Sequence, residues 1–181
     1  MLKILKKLKL KISGYQDMEK LTAMGLKLGK DVNIQHDCLI DENHCWHIEI
    51  GDRVTLAPNV HILAHDASIK RLTGYVKIGK VVIEENVFVG AGSIVLPGVS
   101  IGKGSIIGAG SVVTKDIPSG VVAGGNPARI ICSMDEYMEK IDKQMKEHPV
   151  FDEKYTVRMD VSDKMKKEMN EKMSQKIGFL E

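Results

Sequence analysis

Histidine is the residue type in this sequence that offers the most chemistry near neutral pH. The six histidines are His36, His44, His47, His61, His65 and His148. An imidazole, with an unperturbed pKa of about 6.5, can take a proton from a hydroxyl group as a general base, and the neutral ring can bind Zn²⁺. His61 lies four residues before His65, and with His36, His44 and His47 nearby a three-histidine zinc site is conceivable. Both kinds of site depend on the elements that hold these rings.

The composition excludes several other classes of function. The chain has 181 residues, of which 43% are hydrophobic and 28% charged, and its formal net charge of +2 fits one globular domain with an appendage. This near-neutral charge does not favour nucleic-acid binding, and no apolar stretch approaches the roughly 20 residues that cross a bilayer. The three cysteines include no C-x-x-C pair, so we expect no disulfide framework and a cytoplasmic, reducing environment.

A six-residue repeat runs through the middle of the chain and positions the histidines. From Ile83 the sequence reads IEENVF, VGAGSI, VLPGVS, IGKGSI, IGAGSV and VTKDIP, each segment opening with Ile or Val. An earlier set, IGDRVT, LAPNVH and ILAHDA, begins at Ile50, and a fainter set begins at Leu28. The repeat is interrupted at 40–50 and at 66–78, and His65 stands where the second interruption begins.

A period of six suits a very short strand followed by a tight turn, and therefore predicts a β-solenoid. We expect one aliphatic side chain per hexad to point inward and to stack on the same position of the next coil. The fifth position is small or β-branched, as expected where the backbone turns a corner. Gly90, Gly102 and Gly108 are expected to relieve turns in which a Cβ atom would crowd its neighbours.

The two ends of the chain lack the repeat. Residues 1–12 alternate lysine with Leu or Ile at helical spacing, which predicts a basic amphipathic helix that either docks on the protein or contacts an anionic membrane surface. After the cluster AGGNPAR, the segment 132–181 contains Ser133 and Ser162 as caps of two predicted helices. We therefore expect a lead-in over 1–24, a solenoid over 25–131 with an external loop over 66–77, and a C-terminal helical extension over 132–181.

The hexads, AHDAS with its following insertion, GAGSVVTKDIP and AGGNPARII together resemble the hexapeptide-repeat O-acetyltransferases, in the branch that acts on maltose, galactosides and surface polysaccharides. The resemblance covers roughly 25–131. It implies a left-handed parallel β-helix, acetyl-CoA as co-substrate, and a homotrimer with active sites between subunits. The hand of the helix comes from the resemblance alone.

The resemblance also implies the roles of particular residues. His65 matches the catalytic histidine of similar enzymes and is expected to be the general base. On the acceptor side, counting back without gaps from Gly51 lands on Asp37, where related enzymes usually have Asn. Asp37 is expected to bind an acceptor hydroxyl or to help orient His65. Cys45 stands where many related enzymes have Asp and is also expected on the acceptor side. On the donor side, the pantetheine arm of acetyl-CoA is expected at small residues and its nucleotide end near positive charge. These donor-side residues are Ala91, Ala109, Thr114, Lys115 and Arg129.

We therefore expect an acetyl-CoA-dependent O-acetyltransferase that acts on a hydroxyl group of a sugar or surface-polysaccharide precursor, without a metal. Three alternatives stay open: an N-acetyltransferase acting on an amino sugar, a zinc enzyme like the γ-class carbonic anhydrases of the same fold, and a noncatalytic scaffold. The basic N-terminus raises the further hypothesis that the protein works at the inner surface of a membrane.

Overall fold

The computed structural model describes residues 15–173 and 177–181, so the predicted helix over 1–12 lies outside the described residues. Within the described residues, no helix is long and apolar enough to cross a membrane. Contacts divide the chain into two compact units, Met1–Met134 and Asp135–Glu181. The repeats all belong to the first unit.

Three parallel sheets run along the first unit, and the chain visits them in turn. Sheet A consists of β1 (Lys27–Leu28), β4 (Ile48–Ile50), β9 (Val81–Ile83) and β12 (Ser100–Ile101). Sheet B consists of β2 (Asn33–Ile34), β5 (Thr55–Leu56), β10 (Phe88–Val89), β13 (Ile106–Ile107) and β15 (Val121–Gly124), with β16 (Arg129–Ser133) antiparallel at its edge. Sheet C consists of β3 (Leu39–Ile40), β6 (His61–Ile62), β11 (Ile94–Val95) and β14 (Val112–Val113). One passage through the three sheets makes one coil, as a β-solenoid requires.

The register of the strands shows how the two interruptions are accommodated. Ile83 pairs with Ile101, eighteen positions later, so three uninterrupted hexads make one coil. Ile40 pairs with Ile62, 22 positions later, because the first coil contains four extra residues around a 3₁₀ helix, Glu42–His47. Ile62 pairs with Val95, 33 positions later, because the next coil carries the external loop. Both insertions lie outside the sheets, which keep their register across them.

The external loop is a small hairpin with a helical turn at its tip. It contains β7 (His65–Asp66), α2 (Lys70–Thr73) and β8 (Lys77–Ile78), and β7 pairs antiparallel with β8. The first unit also contains α1 (Met18–Ala23), whose Leu21 is buried in the core. Loop and 3₁₀ helix both follow strands of sheet C, so the two irregular segments emerge from the same side of neighbouring coils.

The interior of the solenoid holds two side chains per hexad, which corrects the expectation of one. From Ile40 onward the residues that open the hexads are almost fully buried, and so are those at the fifth position from Val54 onward, whereas Leu28 and Ile34 are partly buried. The fifth-position residues are Val54, Val60, Val87, Ser93, Val99, Ser105 and Ser111. The backbone turns at the fourth position of the hexad and not at the fifth, because the fourth residue has the positive φ of a left-handed turn. Asp, Asn, Arg or Gly stands at that position. The fifth residue is therefore small because it fills an interior corner.

The second unit contains α3 (Met134–Glu147), β17 (Val150–Phe151), α4 (Asp163–Lys172) and β18 (Phe179–Leu180), with two short 3₁₀ helices between β17 and α4. The two strands pair in parallel. Ser162, the predicted cap, accepts a hydrogen bond from the Met165 N–H and begins α4. The Phe151 and Tyr155 rings pack together at 5.2 Å between centroids.

The glycine at the second position of a hexad gives a test of the coil spacing. A Cβ atom added to Gly90 would lie 2.5 Å from the Ala109 nitrogen, whereas one added to Gly108 would lie 3.6 Å from its nearest neighbour, the Ala123 oxygen. We expect Gly90→Ala to lower the free energy of unfolding by about 1–3 kcal/mol, because the backbone of the next coil must move. Gly108→Ala, the matched control, should change it by less than about 1 kcal/mol. If urea unfolding showed the same loss of unfolding free energy in Gly90→Ala and Gly108→Ala, this account of the coil spacing would be wrong.

Candidate active site

A carboxylate and an imidazole meet where two neighbouring strands of sheet C end. Asp41 follows β3, and its N–H donates a hydrogen bond to the Ile62 carbonyl oxygen at 2.9 Å. On the next coil the Ala64 N–H donates to Asp41 Oδ2 at 3.0 Å, and the adjacent residue, His65, is hydrogen-bonded to the same oxygen through Nδ1. The Asn43 N–H donates to Asp41 Oδ1 at 3.2 Å. Backbone groups of two coils therefore fix the carboxylate that orients His65.

The two members of this pair differ in their access to solvent. The Asp41 side chain is 3% exposed and the His65 side chain 30%. Burial by itself raises the pKa of the Asp41 carboxyl, but the hydrogen bonds from His65 and Ala64 outweigh it and lower the pKa below its ordinary value. A carboxylate on Nδ1 favours the tautomer in which Nδ1 carries the proton, which leaves Nε2 able to accept one. The pair has the arrangement of an oriented general base.

The 3₁₀ helix brings further aromatic rings to His65. The His44 ring lies 4.7 Å from the His65 ring and 5.5 Å from the Trp46 ring between centroids. His47 continues the group, 5.7 Å from Trp46. His44 Nδ1 is buried and has no hydrogen-bond partner. The four extra residues of the first coil therefore build one wall beside His65.

His65 lines two clefts. One, of about 490 Å³, extends toward the later coils along Leu96, Pro97 and Thr114 and is flanked by the external loop at Lys77. The other, of about 260 Å³, extends toward the earlier part of the chain along Leu39, Glu42 and Asn43. A reacting group could approach the imidazole from each side. The geometry therefore suits a transfer between two substrates.

The residues predicted for the donor are all exposed and lie on the later coils. Ala91 and Ala109 occupy successive corners, joined by the hydrogen bond that the Gly110 N–H donates to the Ala91 oxygen at 2.8 Å. Thr114 lines the larger cleft with His65. Lys115 and Arg129 line a neighbouring cleft of about 440 Å³. Ala91 and Ala109 thus lie where the chain passes from sheet B to sheet C, whereas Thr114 follows a strand of sheet C, as His65 does.

The two acceptor-side residues do not meet His65. Asp37 occupies a left-handed turn position with φ of 58°, and its exposed carboxylate is hydrogen-bonded to His36 Nδ1 at 2.8 Å. The gapless count was wrong as a guide to the partner of His65, because the first coil has four extra residues and the facing carboxylate is Asp41. Cys45 is fully buried and donates to the Leu21 oxygen at 3.6 Å. Its side chain is therefore inaccessible to an acceptor, which corrects that prediction.

Sequence reasoning missed Asp41 and gave His44 no role in proton transfer. The signal for Asp41 was present, because Ile40 and Ile62 both open hexads and pair in sheet C. Aligning these two residues places Asp41 next to the 63–65 segment. Within the described ranges, the residues whose ligand atoms come together are Asp41, His44 and His65, and the predicted pairing of His61 with His65 is not among them.

Comparison with known proteins identifies the family to which this fold belongs. A family model described as bacterial transferase hexapeptide (six repeats) matches residues 80–115. CapG of Staphylococcus aureus is 38% identical over 128 residues, which cover 68% of this chain and 74% of CapG. The chain is also similar to a maltose O-acetyltransferase from Clostridium difficile 630, whose crystal structure superposes with a TM-score of 0.54. The two sequences are 31% identical, and the match covers 73% of this chain and 85% of that enzyme.

A second solved structure is that of a galactoside acetyltransferase in complex with coenzyme A. Its sequence is 31% identical to this one, and the superposition, with a TM-score of 0.50, covers 64% of this chain and 65% of the galactoside acetyltransferase chain. The family model covers repeats that contribute strands to all three sheets. The chain therefore belongs to the hexapeptide-repeat acetyltransferase family.

Proposed function

We propose that this protein transfers an acetyl group from acetyl-CoA to a hydroxyl group of a sugar or surface-polysaccharide precursor. The observation that carries the proposal is the Asp41–His65 pair, whose imidazole lies at the junction of two clefts. The family supports acetyl-CoA as the donor, since a galactoside acetyltransferase of similar structure was solved with coenzyme A. The sugar acceptor is supported by the maltose and galactoside enzymes among the similar structures.

In the proposed reaction the acceptor oxygen attacks the thioester carbonyl carbon while its proton passes to His65 Nε2. Asp41 stabilises the imidazolium that forms, because its buried carboxylate accepts the Nδ1 proton in a hydrogen bond. The tetrahedral intermediate then expels the CoA sulfur, which takes the proton back from Nε2. One ester bond forms and one thioester bond breaks, without an acyl-enzyme.

The two clefts give each substrate a side of His65. The acetyl end of the donor would enter past Thr114, its pantetheine arm would follow the corners at Ala91 and Ala109, and its phosphates would meet Lys115 and Arg129. Exposed cations of this kind suit phosphate groups. The acceptor would occupy the smaller cleft, where Glu42 and Asn43 offer polar groups to hydroxyls.

The assembly and location are part of the same proposal. Three of the four outer positions in register along sheet C are apolar, which supports packing against other copies in a homotrimer; the row is Leu39, His61, Ile94 and Val112. The solenoid would be left-handed like that of its relatives. The protein would work in the cytoplasm, where the basic segment 1–12 could hold it at the inner membrane surface.

Release of free thiol from acetyl-CoA tests this function directly. Purified protein should release CoA in the presence of hydroxyl acceptors such as maltose, galactosides or oligosaccharide precursors, and much more slowly without an acceptor. Amino sugars blocked at their hydroxyls serve as the matched comparison, because they accept only at nitrogen. Faster turnover with those amines would contradict O-transfer, and an absence of both CoA binding and turnover would favour the noncatalytic scaffold.

A further inference from the structure

Three potential metal ligands converge at the proposed active site, and the proposed base is one of them. Asp41, His44 and His65 each offer one ligand atom, and these atoms all lie within 4.8 Å of one another. Two imidazoles and a carboxylate are the donor set of many zinc sites with three protein ligands, in which a fourth position stays open to water. Among residues 15–173 and 177–181, this is the one group of three or more such side chains with this spacing.

A second observation points to an additional ligand at the same place. His44 Nδ1 is buried and makes no hydrogen bond, although a buried polar atom without a partner costs free energy. The backbone at His44 departs from helical geometry, with φ of −136° and ψ of 27° inside the 3₁₀ helix, and its ring lies beside that of His65. A cation held among the three side chains would bind one nitrogen of this ring, and we take the orphaned Nδ1 as that ligand atom.

We propose that Asp41, His44 and His65 form an inhibitory binding site for a transition-metal dication, with Zn²⁺ as the ion whose ligand preferences fit best. To bind Zn²⁺ together, His65 Nδ1 and Asp41 Oδ2 would have to move apart from their present hydrogen-bond contact, and the proton that they share would leave to solvent. A neutral imidazole that binds metal through Nδ1 carries its proton on Nε2. His65 could then no longer accept the proton of an acceptor hydroxyl, so acetyl transfer would stop.

Only the inhibition rests on the proposed function, and metal binding can be measured without substrates. Trp46 is the single tryptophan of the chain, and its ring lies 5.5 Å from that of His44. Tag-free protein stripped with a chelator is titrated with Co²⁺, which quenches a nearby indole and absorbs visible light when bound at low coordination number. We expect quenching that saturates at one Co²⁺ per chain and is reversed when Zn²⁺ displaces it.

Variants separate this site from surface binding. His44→Gln removes one of three protein ligands and should weaken Zn²⁺ binding, measured by calorimetry, by at least about tenfold. His36→Gln, which changes an exposed histidine outside the group, should leave the affinity unchanged. Circular dichroism confirms that both variants fold. Equal Zn²⁺ affinity in wild type and His44→Gln, or no saturable binding by wild type at 100-fold excess, would overturn the proposal.

The activity arm uses the same proteins. Excess Zn²⁺ should inhibit acetyl transfer by wild type and His36→Gln, a chelator should restore it, and His44→Gln should need correspondingly more Zn²⁺. If the protein transfers no acetyl group under any condition, the proposed function fails while the binding data still decide on the metal site. Stoichiometric binding by wild type that leaves turnover unchanged would overturn the inhibitory role.

Discussion

His65→Ala should lower kcat for acetyl transfer by a factor of roughly 10² to 10⁴, the usual contribution of a positioned general base. His65 is the imidazole at the junction of the two clefts, and alanine leaves the attacking hydroxyl without a group to take its proton. The KM for acetyl-CoA should change little, because the residues proposed to hold the nucleotide end line a separate cleft. Initial rates of thiol release at varied acetyl-CoA concentrations measure both constants.

His36→Ala is the control for this change, because His36 is an exposed histidine that contacts a carboxylate, Asp37, outside the site. It should retain wild-type kcat. The assignment of His65 is wrong if His65→Ala, with an unaltered unfolding transition, turns over as fast as wild type. A kcat that stays constant while the KM for acetyl-CoA rises would make His65 a binding residue instead.

Asp41→Asn should lower kcat by roughly 10² to 10⁴, as expected when the carboxylate partner of a catalytic histidine becomes a neutral amide. The amide keeps the size of the side chain, but its NH₂ group can donate a hydrogen bond to His65 Nδ1 and so favour the wrong tautomer. It also removes the negative charge that stabilises the imidazolium. The KM values for both substrates should stay close to those of wild type, since the Asp41 side chain is almost fully buried.

A double-mutant cycle shows whether Asp41 acts through His65. In a His65→Ala background, Asp41→Asn should cause little further loss of kcat, because groups that work as a unit are strongly non-additive. A purely structural loss would instead appear in both backgrounds and in the urea unfolding curve. Asp37→Asn is the matched control, and a larger fall in kcat for Asp37→Asn than for Asp41→Asn would restore the gapless count that the structure contradicts.

The repeat was enough to predict the architecture because its physical cause is local. Each hexad contains its own strand, turn and interior residues, so the six-residue period of the sequence directly predicts the three sheets. The same reasoning placed His65 at the start of the external loop, where β7 begins. The coiled arrangement of three sheets could therefore be predicted from the repeat, whereas the hand of the helix could not.

The partner of His65 needed a further step, because predicting it requires the alignment of hexads on neighbouring coils, here Ile40 with Ile62. The interruption at 40–50 was visible, but its length did not say where the four extra residues leave the sheet. The 3₁₀ helix absorbs them after Asp41, so Ile40 keeps its pairing with Ile62. The burial of Cys45 has the same origin, since the helix turns this residue into the core.

The alignment of Ile40 with Ile62 has a consequence for catalytic precision. Asp41 and the 63–65 segment follow strands that are hydrogen-bonded neighbours, so their backbones start from the interstrand spacing of a parallel sheet, about 4.8 Å, which lets the Asp41 carboxylate reach the His65 ring. The backbone hydrogen bonds of the sheet fix this strand spacing, so the two side chains need no closing motion to come into contact. The entropic cost of bringing the Asp41 carboxylate and the His65 imidazole together therefore arises once, when the chain folds. Both groups are then already in position at the start of every turnover.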